Sequence, residues 1–334
     1  MCNEVILVTG GTGSFGRKFI KSALQKSNVK KIIVFSRDEM KQWDMRNEFP
    51  DEERLRFFIG DVRDKDRLNR ALCGVTTVVH AAATKIVPVA EYNPFECIKT
   101  NILGAMNLID ACIDSGVKKV VALSTDKASS PINIYGASKL ASDKLFTASN
   151  SYGGEHGTRF SVVRYGNVMG SRGSVIPFFL RELKAGRTVL PITDSNMTRF
   201  MITLEQGIEL VWHAIADMQG GEIYVRKIPS MNITDIVSAI SATSETFTIG
   251  IRPGEKIHEQ MIGVEDARYT YEFKNYYKIM PVVNNWDASS DAVKFGSPVS
   301  EGFTYTSQNN ADWMSVQSLA KWVKENYAFL NTGF

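Results

Sequence analysis

Short apolar segments rich in Val and Ile alternate with segments of helical periodicity through the first half of this 334-residue chain. Each apolar segment has the length of a strand, and its uninterrupted apolar character is typical of strands buried on both faces. This alternation predicts an α/β, doubly wound parallel sheet with helices on both sides, connected by right-handed crossovers. The predicted strands are residues 5–9, 31–36, 55–59, 77–81, 119–124 and 160–165, and the predicted helices are residues 15–25, 64–72, 94–115 and 135–148.

A glycine-rich turn follows the first predicted strand. Gly10, Gly13 and Gly16 recur at intervals of three and lead directly into a helix. Glycine permits a tight turn and a close approach of the backbone to a pyrophosphate, whose negative charge is favoured at a helix N-terminus. Because a strand precedes the turn and a helix follows it, we interpret it as the dinucleotide site of a Rossmann fold and not as an ordinary tight turn. The residues assigned to this site are Gly10, Thr12, Gly13, Ser14, Phe15 and Gly16.

The end of the second strand indicates which dinucleotide is bound. Ser36 stands where an NAD-selective site usually has an acidic residue, and Arg37 and Lys41 provide two cations for a 2′-phosphate. These residues favour NADP, although a solvated charge cluster at a helix start would look the same, and Asp38 could still bind a ribose hydroxyl. Further cofactor contacts are expected from Asp61, Val62, Ala81, Ala82 and Val168.

The alternation of strands and helices stops after Asn167. Residues 171–204 contain several Gly and Pro residues and a polar turn. We expect residues 1–170 to form the NADP-binding Rossmann domain, to which later segments return, and residues 171–334 to form mainly a smaller, partly discontinuous C-terminal substrate lobe. The elements predicted there are helices at residues 205–218, 233–240 and 316–325 and strands at residues 222–226 and 246–251.

Composition excludes several classes of protein. The net charge of +3 is spread along the chain without a basic block, so we expect no nucleic-acid partner. There is no apolar run long enough to span a bilayer and no leader-like N-terminal pattern, so a soluble protein without membrane contact is expected. His80 and His258 have no second ligand at a suitable spacing, so we expect no metal site. The four cysteines lack C-x-x-C spacing and indicate reduced packing residues of a cytoplasmic protein.

The candidate chemical centre combines two short motifs. Asp126 and Lys127 follow the fifth strand, and Tyr135 and Lys139 are spaced so that they share one helix face, a single turn apart. A free phenol is too weak a base at neutral pH, but a neighbouring ammonium lowers its pKa and would make Tyr135 a usable base. Y-x-x-x-K also occurs by chance with an exposed Tyr and a solvated Lys. The glycine turn and the five preceding strands favour the catalytic interpretation.

Taken together, these motifs resemble the extended short-chain dehydrogenase/reductase family. The shared features are T-G-x-x-G-x-x-G, the alanines after the fourth strand and Y-x-x-x-K, and the resemblance runs the length of the chain. More narrowly, the chain resembles the inverting, 5-epimerising UDP-N-acetylglucosamine 4,6-dehydratases that begin pseudaminic acid synthesis. Thr84 departs from the usual pattern, which has Leu there. The segments that carry this narrower resemblance are TGGTGSFG, FSRDE, IGDVRD, HAAATK, STDKA, RYGNVMGSRGSVIPFF, TRFMIT and RPGEKIHE.

The resemblance implies an NADP-dependent lyase that acts on UDP-N-acetylglucosamine. It assigns oxidation at sugar C4 to Tyr135 and Lys139, and loss of water across C5 and C6 to Asp126 and Lys127. We expect an enclosed Lys127 with a lowered pKa to remove the C5 proton while Asp126 protonates the leaving hydroxyl. Retaining dehydratases carry Thr-Asp-Glu here, so Lys127 is the distinguishing residue. The implied substrate contacts are Lys85, Thr125, Asn167, Arg199, Arg252 and Glu255, with Arg199 and Arg252 clamping the diphosphate.

Alternative functions share this fold. A UDP-hexose 4-epimerase or a retaining dehydratase would keep the Tyr-Lys pair, and Lys127 argues against both. A non-catalytic NADP-sensing module would be expected to lose Tyr135, Lys139 or Asp126, and the chain keeps all three. The resemblance also implies a homo-oligomer, specifically a hexamer.

Overall fold

A computed structural model of the chain describes residues 4–153, 157–171, 173–283, 291–327 and 330. Its strands, in chain order, are β1 (Glu4–Thr9), β2 (Val29–Ser36), β3 (Leu55–Ile59), β4 (Thr77–His80), β5 (Lys119–Leu123), β6 (Arg159–Arg164), β7 (Asn167–Val168), β8 (Val189–Ile192), β9 (Thr198–Ile202), β10 (Ile223–Arg226), β11 (Ser230–Asn232), β12 (Glu245–Thr248), β13 (Gln260–Ile262), β14 (Thr270–Glu272), β15 (Tyr276–Ile279), β16 (Ser297–Pro298) and β17 (Tyr305–Thr306).

The α-helices of the described residues are α1 (Ser14–Leu24), α2 (Glu39–Glu48), α3 (Lys65–Ala71), α4 (Val87–Tyr92), α5 (Pro94–Ile98), α6 (Gly104–Asp114), α7 (Ile134–Ala148), α8 (Val175–Lys184), α9 (Leu204–Asp217), α10 (Ile233–Ile240) and α11 (Val316–Glu325). A π-helical turn (Lys99–Leu103) joins α5 to α6. Short 3-10 turns include Asp126–Ala128 and Val264–Tyr269.

The main sheet confirms the predicted doubly wound topology. Its order is β16-β14-β15-β10-β6-β5-β4-β1-β2-β3, and the seven strands from β10 to β3 are parallel. The chain crosses over after β3 to begin the second half of the sheet at β4, so β1 lies between β2 and β4. Thr9, at the end of β1, is paired with Phe35 on one side and His80 on the other. The carboxyl ends of these strands therefore form one edge, at the point where the strand order reverses.

All six strands predicted in the first half are present. The helix predicted at residues 94–115 is present as α5, the π-helical turn and α6, which follow one another without a break in the helical backbone. The segment at residues 171–204, for which no helix or strand was predicted, contains helix α8 and strands β8 and β9. Pro177 is compatible with α8 because it lies in the first turn, where backbone N–H groups have no intrahelical partner. The strand predicted at residues 246–251 is β12, which pairs with β8 outside the main sheet.

Among the described residues, four groups of buried apolar side chains form the interior, and two of them are large. The larger group fills both faces of the main sheet and includes Phe19, Phe160 and Tyr224. The second group joins α8, α10 and α11 through residues such as Phe179 and Leu319. The chain thus contains two large apolar groups. The predicted domain boundary between residues 170 and 171 stays a prediction. Within the described part of the chain, no helix is long and apolar enough to cross a membrane.

Candidate active site

A cavity of about 1520 Å³ opens along the carboxyl ends of the parallel strands. The glycine turn lines one end, and the catalytic candidates line the other. The sequence-predicted residues that line it are Gly10, Thr12, Gly13, Ser14, Phe15, Gly16, Ser36, Arg37, Asp38, Lys41, Asp61, Val62, Ala81, Ala82, Lys85, Thr125, Asp126, Lys127, Tyr135, Lys139, Asn167, Val168, Arg252 and Glu255.

The glycine turn fits a dinucleotide. Gly10 adopts φ 65°, and a Cβ there would lie 2.9 Å from the Ala82 nitrogen, so only glycine allows the β1 turn to pack against the end of β4. Thr9 Oγ1 lies 2.8 Å from His80 Nδ1 and accepts hydrogen bonds from the Ala81 and Ala82 amides, which braces this packing. The turn thus presents the N-terminus of α1 to the cavity, where backbone N–H groups and the helix dipole favour an anion.

The charged residues after β2 are partly occupied with one another. Asp38 caps α2 by accepting from the Lys41 amide, and Lys41 Nζ lies 2.6 Å from Asp38 Oδ2. The Arg37 guanidinium is largely exposed and lies 3.7 Å from Asp61 Oδ2. The hydrogen bonds from Lys41 hold the pKa of Asp38 below its ordinary value. Two cations therefore border the cavity here, and each faces a carboxylate.

Asp126 and Lys127 lie in the 3-10 turn after β5. Asp126 is fully buried, and its Oδ1 atom accepts from Thr125 Oγ1 at 2.9 Å and from Lys127 Nζ at 3.1 Å. Burial raises the pKa of Asp126, although the Lys127 charge opposes this effect. A buried carboxyl with a raised pKa is suited to donate a proton.

Lys127 differs from the expectation of a lowered pKa. Burial by itself lowers the pKa of this ammonium, but two carboxylates outweigh it and the net pKa is raised. One is Asp126, and the other is Glu259, whose Oε1 atom lies 2.9 Å from Lys127 Nζ. Lys127 is therefore an ammonium in the ligand-free protein. An ion pair of this kind forms only in the folded chain, so the motif alone could not reveal it.

Tyr135 and Lys139 share the first turns of α7, as predicted. Gly136 allows this helix to approach closely, because a Cβ there would overlap the Lys127 carbonyl oxygen. Burial raises the pKa of Tyr135 to about 12, while the Lys127 charge and a hydrogen bond with Thr125 oppose the rise. Burial also lowers the pKa of Lys139. The expected lowering of the Tyr135 pKa by Lys139 is thus not seen in the ligand-free protein.

Glu259 is a functional candidate that the sequence reasoning missed. It ends the segment RPGEKIHE, from which only Arg252 and Glu255 had been selected. Three contacts tie this segment to the catalytic turn and to α7. Asn133 Nδ2 donates to the Gly254 oxygen at 2.7 Å, Lys256 Nζ donates to the Ser129 oxygen at 2.7 Å, and Lys127 pairs with Glu259. The presence of a second acidic residue in RPGEKIHE, after Glu255, was the sequence feature that could have indicated Glu259.

The structure does not place Arg199 where the expected diphosphate clamp requires it. Its side chain is buried and does not line the cavity. The guanidinium donates to the backbone oxygens of Thr198, Lys256 and Ile257, and Nε lies 3.9 Å from Glu259 Oε1. Arg199 therefore supports the segment that carries Glu259.

The remaining substrate candidates surround the catalytic turn. Burial lowers the pKa of Lys85, whose side chain lines the cavity. Arg252 is half exposed and lies 3.9 Å from Glu255 Oε1. Among the residues that the structure describes, no cluster of three His, Cys, Asp or Glu side chains could hold a metal ion.

The sheet order, the glycine turn and the Tyr135–Lys139 pair define the extended short-chain dehydrogenase/reductase class. Within it, the chain belongs to the polysaccharide biosynthesis protein family, whose model matches residues 6–281. The inverting UDP-N-acetylglucosamine 4,6-dehydratase of Campylobacter jejuni subsp. jejuni serotype O:23/36 is 53% identical over 97% of this chain and 98% of its own length.

Two further proteins show the breadth of this likeness. The UDP-glucose 4-epimerase of Rickettsia conorii is 42% identical, over 83% of each chain. The crystal structure of Pen from Bacillus thuringiensis superposes with a TM-score of 0.88 at 34% identity, over 98% of both chains. The family resemblance and the fold expected from the sequence are both confirmed.

Proposed function

We propose that this protein is an NADP-dependent UDP-N-acetylglucosamine 4,6-dehydratase that inverts C5. The observation that carries the proposal is the contact between Asp126 and Lys127 at 3.1 Å, in a cavity that Tyr135 and the glycine turn also line. A 53% identical relative of that name, matched over nearly its whole length, supports the same substrate. The product is UDP-2-acetamido-2,6-dideoxy-β-L-arabino-hexos-4-ulose, and the reaction is the first step of pseudaminic acid-type sugar synthesis.

Tyr135, Asp126 and Lys127 have different catalytic roles because their charges and pKa values differ. A nicotinamide cofactor held by the glycine turn, Tyr135 and Lys139 would supply a reversible hydride acceptor and a positive ring charge beside these residues. Tyr135, with Lys139 on the same helix face, takes the C4 hydroxyl proton. Asp126, whose pKa is raised by burial, gives its proton to the C6 hydroxyl, which leaves as water. Lys127 takes the C5 proton once it has lost its own. Inversion requires a second donor on the opposite face of the ring, and Tyr135 is the candidate.

The choice of NADP rests on Arg37 and Lys41, which border the end of the cavity near the glycine turn. Their positive charges are matched to a 2′-phosphate, which is absent from NAD. Together with Tyr135, Lys139 and Val168, the proposed cofactor contacts are Gly10, Thr12, Gly13, Ser14, Phe15, Gly16, Ser36, Arg37, Asp38, Lys41, Asp61, Val62, Ala81 and Ala82.

We also propose substrate contacts, an oligomeric state and a cellular location. Lys85, Thr125, Asn167, Arg252 and Glu255 line the cavity and are proposed to hold the sugar nucleotide. The resemblance suggests a homo-oligomer, specifically a hexamer. Cys97 and Cys112 are buried free thiols, which supports a reducing, cytoplasmic location.

A 4-epimerase is the second candidate, because a 42% identical relative carries that name. An epimerase returns a sugar of unchanged mass, whereas a dehydratase removes water. Purified protein incubated with UDP-N-acetylglucosamine and NADP should give a product lighter by one water in mass spectrometry, without net consumption of the cofactor. In deuterium oxide the product should carry deuterium at C5 in the L-arabino configuration, and Lys127→Ala should stall before dehydration. An early D-xylo product would contradict inversion, and an unchanged mass would favour the epimerase.

A further inference from the structure

Glu259 is a buried carboxylate that the steps described above do not use. Its side chain is 2% exposed, and it does not line the cavity, whereas Asp126 and Lys127 do. Glu259 Oε1 lies 2.9 Å from Lys127 Nζ, which in turn lies 3.1 Å from Asp126 Oδ1. Lys127 Nζ therefore bridges two buried carboxyl groups, one at the cavity and one behind it.

The backbone around Glu259 is held in place. The Glu259 amide donates to Ser307 Oγ at 2.9 Å, and the Ser307 amide donates to the Glu259 oxygen at 2.8 Å. Arg199 braces the preceding residues through their backbone oxygens. With the backbone held and the side chain buried, the Glu259 carboxylate faces Lys127 and not solvent.

Both carboxyl groups have one oxygen without a partner, although in the ligand-free protein the Lys127 and Arg199 charges outweigh burial and hold the pKa of Glu259 below its ordinary value. Asp126 Oδ2 and Glu259 Oε2 are buried, and neither has a hydrogen-bond partner among the described residues. Each group thus keeps one oxygen free while the other faces Lys127. The three side chains are arranged as an acid, an amine and a second acid in contact.

We propose that Glu259 is a positioning residue for Lys127, which holds the ammonium at the cavity and accepts its proton when the amine must act as a base. This inference rests on the proposed function. The step starts with Asp126 protonated, Lys127 as an ammonium and Glu259 as a carboxylate. The proton passes from Lys127 Nζ to Glu259 Oε1, and the neutral amine then takes the C5 proton. At that point Lys127 is again an ammonium, Glu259 is a carboxylic acid, and Asp126 has lost its proton to the departing water.

The same contacts return the site to its starting state. After another donor has protonated C5, Lys127 passes a proton to Asp126 and recovers one from Glu259. No proton is gained from or lost to solvent in this exchange. Among the residues that the structure describes, Lys127 without Glu259 would keep an ion pair with Asp126 alone, and Asp126 is needed as the acid.

Glu259 also sets the charge of Lys127 before substrate binds. The charged and titratable groups around Lys127 are Asp126, Glu259, Arg199, Lys256 and Tyr135. Burial lowers the pKa of Lys127, and the two carboxylates raise it above its ordinary value. Removing one of the two charges should therefore lower the Lys127 pKa.

The first experiment measures this effect in the ligand-free protein. Lys127 is labelled with an activated ester over a range of pH, and the labelled peptide is quantified by mass spectrometry. In Glu259→Gln the midpoint of labelling should fall by about one pH unit or more, as expected for loss of a charge in contact. Glu265→Gln is the matched control, because that carboxylate is exposed on a nearby 3-10 turn, and it should leave the midpoint unchanged. An unchanged midpoint in Glu259→Gln overturns the inference.

The second experiment measures turnover of UDP-N-acetylglucosamine with NADP bound. Glu259→Gln should lower kcat by about tenfold or more, as expected for loss of an acid-base partner, and shift the pH profile of kcat, with little change in KM. Glu259→Asp keeps the charge at a greater distance and should recover part of the rate. If Glu259→Gln does not fold, the comparison of kcat and its pH profile between Glu259→Asp and the wild type tests the proposal.

The two failures are distinguishable. A wild-type protein that releases no water contradicts the proposed function, whatever the labelling shows. A wild-type protein that dehydrates its substrate, beside a folded Glu259→Gln with the same kcat and pH profile, overturns the role of Glu259 alone.

Discussion

Asn133 joins the start of the catalytic helix to the segment that carries Glu259. Its Oδ1 atom accepts from the Gly136 amide at 2.7 Å and caps α7, and its Nδ2 atom donates to the Gly254 oxygen at 2.7 Å. One side chain therefore fixes both the helix that holds Tyr135 and the loop behind Lys127. These two functions can be separated because they use different atoms of the amide.

Two substitutions of Asn133 should separate the cap of α7 from the contact with Gly254. Asn133→Asp keeps an oxygen for the helix cap but cannot donate to Gly254, so turnover should fall while stability changes little. Asn133→Ala loses both bonds and should also lower the free energy of unfolding by about 1 kcal/mol. Urea unfolding and steady-state turnover of the two variants test this. Equal turnover in Asn133→Asp and the wild type would contradict a role for the Gly254 contact.

Tyr135→Phe should lower turnover by about 100-fold or more, because the phenol that handles the C4 proton is lost. Sugar-nucleotide binding and thermal stability should be nearly unchanged, since the ring still fills its buried position. Tyr152→Phe is the control, because Tyr152 is largely exposed and should keep full turnover. Wild-type turnover in Tyr135→Phe would show that the phenol serves packing only.

Arg37 and Lys41 should determine the preference for NADP. Their joint replacement by Ala should weaken NADP binding about tenfold or more and leave NAD binding nearly unchanged, because only NADP carries the 2′-phosphate. Calorimetric titration of the cofactor-free protein measures both affinities. Arg70→Ala, an exposed change away from the cavity, should alter neither affinity. Equal affinity of the wild type for NAD and NADP would refute the assignment.

His80 should make the fold sensitive to mild acid. Burial, with the nearby Lys139 charge, lowers the pKa of His80 to about 3, whereas an unfolded histidine titrates near pH 6.5. The folded state disfavours the proton, so stability is full above about pH 6.5 and is lost as the pH falls toward 3. Between about pH 6.5 and 5.5 the His80 contribution should be a loss of about 1 kcal/mol.

Urea unfolding across this range, compared with His80→Asn, measures that contribution. His213 and His258 also have pKa values lowered by burial and act in the same direction, so the variant should keep part of the slope. Identical slopes in the variant and the wild type would show that His80 is not protonated on unfolding.

The alternation of strands and helices in the first half and the doubly wound class of the sheet could be predicted from the sequence. Apolar strands buried on both faces alternate with helices, and this local pattern, together with the handedness of crossovers, leaves few possible topologies. The glycine turn and the Tyr135–Lys139 pair could also be predicted from the sequence, because each depends on residues closely spaced in one turn or on one helix face. These residues line the cavity as expected.

Contacts between distant segments were decided only by the tertiary structure. The pairing of Lys127 with Glu259 and the burial of Arg199 against backbone oxygens depend on how the loop after β12 packs against the turn after β5. Sequence spacing carries no information on that packing. The direction of a pKa shift depends on it as well, because burial and the nearest opposite charge compete, and here two carboxylates outweigh the burial of one lysine.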